Sequence, residues 1–156
     1  MDTAAHQLLV VANQTATSET LITELQRRQR MGRVVVHLVV PALTTRIRHW
    51  LSDIDEATSA AQARVETALE VMRHAGIRLT GEAGDGDPIS ALADAYAKFP
   101  ADEILISTLP VERSHWLERD IIGRAEARFP VPIAHIIGTD AAERSEELVA
   151  AGQSTR

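Results

Sequence analysis

Cysteine is absent from the 156 residues, which excludes disulfides, thiolate catalysis and cysteine metal sites together. Lysine is nearly absent: Lys98 is the single one, and every other fixed cation is an arginine. No lysine follows a glycine-rich turn, so a Walker-type P-loop is excluded. The histidines are scattered, none three or four residues from another, so no helix presents a metal-binding pair. No apolar run approaches the roughly 18 residues that a spanning helix requires. The opening MDTAAHQLLVVANQ lacks a basic n-region and enters a strand-like run at once, so no signal peptide is expected. A cytoplasmic location without membrane insertion is the resulting expectation.

What is present suits one globular domain. The length is sufficient to bury a core without staples, and 45% hydrophobic with 24% charged residues is ordinary composition. The net charge of −6 argues against a general nucleic-acid binder, whose affinity rests on neutralising phosphates.

Hydrophobic periodicity divides the chain into alternating elements. His6 to Ala12 is a short continuous apolar run, suited to a strand buried on both faces. Thr17 or Ser18 caps a helix whose Leu21, Ile22 and Leu25 recur at helical spacing, with Gly32 as its stop. Arg33 to Val40 is a second buried strand. Between Ala42 and Asp55 the spacing of Ile47, Trp50, Leu51 and Ile54 predicts a helical piece. A stronger helix runs from Glu56 to His74, with Val65, Leu69 and Met72 on one stripe, and Gly76 ends it. Ile77 to Thr80 predicts a third strand, and Gly81 to Gly86 a loop. Asp87 as N-cap and Pro88 at the first helical position open the next helix, which buries Ile89, Leu92, Ala93 and Tyr96 and stops at Pro100. Glu103 to Ser107 is strand four, Trp116 to Arg128 a helix, and Val131 to Ile137 strand five. Five strand–helix alternations with short connections predict a doubly wound, parallel α/β sheet. The expected division is one domain over residues 1–138 and a polar tail, frayed or disordered, over 139–156.

Three stretches together resemble the universal stress protein family in a divergent, actinobacterial-type form. LLVVAN resembles the family's first strand. GDGDPISALADAYAKFPADEILIS resembles its Gly-Asp-Pro, helix and apolar strand. ARFPVPIAHII resembles its last helix end, Pro-x-Pro and final strand. The resemblance covers residues 6–138 and implies a five-stranded parallel sheet of order 3-2-1-4-5 with helices on both faces, the adenine nucleotide alpha hydrolase-like arrangement. It also implies a homodimer through Val131–Ile137, an apolar edge with no charge to blunt pairing. Family members with nucleotide hold ATP where strands one and four diverge, the switch point of an open α/β sheet.

The resemblance also exposes a gap. Nucleotide-binding members carry Gly-x2-Gly-x9-Gly-Ser/Thr after strand four, because bare glycines let amides approach phosphate at a helix N-terminus. Here the first two glycines fall on Thr108 and Val111; counted back from Pro130-x-Pro132, the final pair falls on Arg119-Asp120, in a loop about two residues shorter than the family pattern. The acidic residue that contacts adenine is replaced by Asn13, which keeps the capacity to hydrogen-bond a base edge. Val39 takes the adenine-packing position, and Gly86 and Asp87 the pocket wall. Arg113, His115 and Arg119 read in two ways: as a different anion grip, or as solvated charges in a loop whose Ser114 caps a helix.

Other groups have structural readings. Asp85-Gly86-Asp87 has the spacing of a calcium-loop fragment but lacks the further ligands, so a turn with a helix cap accounts for it. His37 and His135 lie in strands, and His135 falls on the expected dimer seam. Trp50 and Trp116 suit core or interface anchors. Arg27, Arg28, Arg30 and Arg33 form a basic cluster that reads either as a contact for nucleic acid or anionic lipid or, in a net acidic chain, as a helix C-terminal end that complements the dipole. No catalytic constellation is present in pattern. The expected function is a universal stress protein-like binding or regulatory module that holds no ordinary ATP. The alternative is an adenine-nucleotide-binding stress protein with an arginine-based phosphate grip. A protein partner met through the surface near Trp50 is a further reading.

Overall fold

The run HQLLVV folds as β1 (His6–Val11), and its alternation explains why the run is apolar throughout. Leu8 and Val10 enter one core while Leu9 and Val11 enter the other, so neither face of the strand meets water. The chain is seen here in a computed structural model that describes residues 4–42 and 51–138. After β1 come α1 (Glu19–Met31), β2 (Val34–Pro41), α2 (Leu51–His74), β3 (Leu79–Gly84), α3 (Pro88–Lys98) and β4 (Glu103–Thr108). A 3-10 turn at Val111–Arg113 then leads to α4 (His115–Glu118), α5 (Ile121–Arg128) and β5 (Ile133–Ile137).

The sheet is parallel throughout, with strand order β3-β2-β1-β4-β5. Strand β1 lies at its centre, with Val11 level with Val39 on one side and with Ile106 on the other. Leu21 and Leu25 of α1, and Val65 and Met72 of α2, close the first core. Leu92 of α3 and Ile121 of α5 close the second, together with Ala91, Ala125 and Phe129. Each fully buried leucine or isoleucine contributes roughly 1.5–3 kcal/mol relative to exposure. Ser18 supplies the cap of α1, its Oγ accepting from the Leu21 amide at 3.2 Å. Gly76 terminates α2 at φ 83°, where a side chain would be strained.

Several sequence-derived boundaries move. Strand β3 runs on to Gly84 through the stretch predicted as loop, because Gly81 and Gly84 permit helices to press close against the sheet. A Cβ on Gly84 would lie 2.7 Å from Ala91 Cβ, so α3 packs directly on this strand. The helix predicted over Trp116–Arg128 is two helices. Asp120, at φ 51°, breaks it and starts α5 in a new direction. Helix α2 is continuous from Leu51, and β5 begins at Ile133 rather than Val131. Trp50 and the tail 139–156 lie outside the described residues.

Candidate functional site

In a parallel sheet the loops at the strand C-termini converge, and β1 and β4 leave toward opposite faces there. At this switch point the sequence places Asn13 and Thr15 after β1, and Ser107 and Thr108 at the end of β4. Thr15, Ser18, Ser107, Thr108 and Ser114 are the buried polar side chains among the described residues. Buried hydroxyls need partners, and four of them are satisfied close to this crevice.

Thr15 Oγ1 lies 2.7 Å from Ser107 Oγ and 3.2 Å from the Ser107 carbonyl, joining the β1 loop to β4 across the crevice. Thr108 Oγ1 lies 2.8 Å from His135 Nε2 on β5. Burial holds the His135 imidazole below its ordinary pKa, so the neutral ring is favoured in this contact. Ser18 Oγ is taken by its own helix. The Gly138 amide donates to the Thr108 carbonyl at 2.8 Å, and a Cβ on Gly138 would lie 2.9 Å from Ser18 Oγ. The end of β5 therefore abuts the β1 loop.

The candidate residues separate into three groups. Asn13 is engaged from above: Arg64 of α2 donates from Nη1 to the Asn13 Oδ1. Val39 is fully buried in the second core, beneath α3 beside Gly84. Gly86 and Asp87 form the turn into α3, with Asp85 Oδ1 accepting from the Asp87 amide at 2.9 Å and Asp87 Oδ2 accepting from the Ser90 amide at 3.0 Å. Asp87 also pairs with Arg124 of α5 at 3.1 Å. Burial alone would raise the Asp87 pKa, but the Ser90 amide and hydroxyl and the Arg124 guanidinium outweigh it and hold the carboxyl below its usual range. A Cβ on Gly86 would come within 3.0 Å of the Ala42 carbonyl, so glycine there lets the turn approach the end of β2.

Thr108, Val111, Arg113 and Arg119 occupy the loop after β4. Thr108 is inside, whereas Val111, Arg113 and Arg119 are exposed on the 3-10 turn and at the end of α4. Ser114 caps α4, its Oγ accepting from the Leu117 amide at 3.1 Å. The following helix carries the more telling cap. Asp120 Oδ1 accepts from the Gly123 amide at 3.2 Å, placing a carboxylate on the first turn of α5, where a phosphate would need open amides. Gly123 makes room for it: a Cβ there would meet Asp120 Oδ2 at 2.3 Å. The family spacing had put Asn13, Thr108 and Asp120 in this region. It missed Arg64, Thr15, Ser107 and Gly138, whose partners are distant in the chain.

The remaining candidates have structural partners. His37 Nδ1 lies 2.7 Å from Thr80 Oγ1, its Nε2 lies 3.4 Å from Glu82, and its ring tilts against Phe99. Trp116 is half-buried against the second core. The basic cluster of α1 is divided. Arg27 and Arg28 both pair with Glu24, and Arg28 Nη1 also reaches Glu103 Oε1 at 2.6 Å, while Arg30 and Arg33 face elsewhere. Burial opposes ionisation of Glu103, but Arg28 and His6 prevail and lower its pKa. Among the described residues no group of three or more potential metal ligands converges, and no helix is long and apolar enough to cross a membrane.

No family model and no curated protein sequence matches the chain. Solved structures do match it. A universal stress protein from Archaeoglobus fulgidus aligns at a TM-score of 0.54 with 20% identity, over 84% of this chain and 93% of that one. A universal stress protein family member from Burkholderia pseudomallei aligns at 0.57 with 17% identity, over 83% and 94%. A family member from Arabidopsis thaliana with AMP bound aligns at 0.55 with 14% identity, over 88% and 94%. A structure of a universal stress protein from Archaeoglobus fulgidus in complex with dAMP aligns at 0.55 with 17% identity, over 85% and 98%. This chain has the universal stress protein fold.

Proposed function

We propose that the chain is a divergent universal stress protein, a dimeric binding or regulatory module whose switch point is not built to hold ATP. The observation that carries this reading is the Asp120 carboxylate folded onto the Gly123 amide. A triphosphate at that helix start would meet a fixed negative charge and an amide already taken. The crevice supports the same reading, since its polar groups are used on one another: Thr15 with Ser107, Thr108 with His135, Asn13 with Arg64. A ligand would have to break these bonds to replace them, and only the difference would count as affinity. Dimerisation is supported by the outer edge of β5, where Ile137 is 50% exposed and the strand carries no fixed charge. Isothermal titration with ATP, ADP, AMP and cyclic AMP tests the first part; saturable micromolar binding of ATP contradicts it. Sedimentation equilibrium with Ile137→Lys, at the exposed position of that edge, tests the second. The variant is expected to be monomeric, and an unchanged dimer sends the interface elsewhere.

A second reading is favoured by the relatives with AMP, dAMP and cAMP bound. A nucleoside monophosphate needs a smaller anion site than ATP, and Arg113 with Arg119 would supply charge in place of glycine amides. In that case Asn13 turns from Arg64 to the base. Arg113→Ala with Arg119→Ala then abolishes AMP binding; AMP binding unaffected by both substitutions rejects the arginine grip.

A further inference from the structure

The opposite end of the sheet carries a second surface. A groove of about 1070 Å³ opens where β2 and β3 begin and α1 and α2 end, lined by Arg30, Arg33, Arg73 and Arg78 with Met31 and Val35 among others. Among the described residues no aspartate or glutamate lines it, in a chain where acids outnumber fixed bases by 22 to 16. None of the four guanidinium groups makes an ion pair or hydrogen bond among the described residues. Elsewhere Arg28, Arg64, Lys98 and Arg124 each have a polar partner and Arg128 lies over the Phe129 ring, while Arg119 is a lone exposed cation among the described residues, with no neighbouring arginine cluster.

Complementing the helix dipole accounts for half of this cluster. Arg30 and Arg73 lie in the last turns of α1 and α2, where a cation is favourable. Arg33 and Arg78 precede strands, which have only small dipoles, so no such term recruits them. The groove is apolar as well as basic. Met31 is 77% exposed and Val35 44% exposed, two of the five exposed large hydrophobic residues among those described. Methionine and arginine are enriched at protein interfaces, where arginine pairs planar carboxylates through two parallel hydrogen bonds. A bare polyanion would use the arginines and leave Met31 and Val35 in water.

We infer that this basal groove is a docking site for a partner's acidic peptide segment, with carboxylates on the arginines and an apolar side chain against Met31 and Val35. The inference is independent of the reading of the switch point, which lies at the other end of the strands.

The probe is a short fluorescein-labelled peptide of paired glutamates alternating with leucine, followed by anisotropy with the full chain. Saturable binding is expected. Replacing Arg30, Arg33, Arg73 and Arg78 with glutamine weakens it by about tenfold or more, at a few tenths to one kcal/mol for each exposed ion pair. Arg73→Gln with Arg78→Gln alone, a milder change to the fold, weakens it by a smaller factor. Met31→Ser weakens it without changing its salt dependence, which a purely electrostatic site would not show. Equal binding by wild type and by the four-glutamine variant, with both folded by circular dichroism, overturns the proposal. So does inorganic tripolyphosphate or a single-stranded oligodeoxynucleotide competing as tightly as the peptide itself, since the surface would then be a general polyanion site.

Discussion

The two ends of the sheet treat polar side chains in opposite ways. At the strand C-termini, hydroxyl, amide, imidazole and guanidinium groups are bonded pairwise across the crevice, and Asp120 closes the start of α5. At the strand N-termini, four arginines surround a groove without a polar partner among the described residues. The fold alone would direct attention to the first end, since ligands of open α/β sheets gather at the switch point. Residue chemistry directs it to the second. Satisfied groups stabilise structure, whereas charges held near each other without partners raise the local potential and favour an incoming opposite charge.

Arginines at the two kinds of place should respond differently to substitution. Arg28→Met, which removes the half-buried partner of Glu103 and Glu24, is expected to destabilise the fold by about 1–3 kcal/mol in urea unfolding. Arg33→Gln and Arg78→Gln are expected to leave the urea midpoint unchanged. If all three substitutions behave alike, the division into structural and available arginines fails.

The upper end has its own test. Thr15→Val leaves the buried Ser107 hydroxyl without its side-chain partner and is expected to destabilise by about 1–2 kcal/mol. Adding Ser107→Ala is expected to recover part of that loss, because both polar groups are then gone. Strict additivity in this double-mutant cycle contradicts a coupled pair.

A smaller effect follows from pH. Glu103, Glu24 and Asp87 all have folded-state pKa values held below their ordinary ones: Arg28 and His6 outweigh burial at Glu103, Arg27 and Arg28 act on Glu24, and Ser90 and Arg124 act on Asp87. Their contribution is complete above the unfolded-state value, about 4.5 for the glutamates, and is lost progressively as pH falls below it and through the lower folded-state values. Urea midpoints should therefore decline below that pH, and less steeply in Arg28→Met. The smallest effect is expected for Arg64→Ala, which frees Asn13 on an exposed side and leaves the midpoint unmoved. A large loss there would make the Arg64–Asn13 contact a structural clamp.

The difference between the ends also marks what the chain discloses before folding. Strand runs such as LLVV and EILIS declare themselves because both faces are buried, and Pro88 after Asp87 marks its helix start by cap chemistry alone. The sheet order followed from the resemblance carried by those stretches. Gly81 and Gly84 misled because glycine signals a turn locally, while here it serves helix–strand contact set by Val65 and Ala91. Asp120 broke a helical period that nothing in its neighbours' spacing interrupts. The pairings of Thr15 with Ser107 and Asn13 with Arg64 were invisible because no local rule joins residues so far apart in sequence. The basal groove was half visible: Arg30 and Arg33 stood in a basic cluster, but only the fold removes Arg27 and Arg28 and adds Arg73 and Arg78.

Whether the switch point cradles ATP is decided by titrating ATP into the variant with Arg30, Arg33, Arg73 and Arg78 replaced by glutamine. Removing the basal charges ensures that any heat reports the upper crevice. No saturable binding is expected at micromolar ATP. Micromolar binding that persists in this variant and disappears when Arg113 and Arg119 are also replaced by alanine would contradict it.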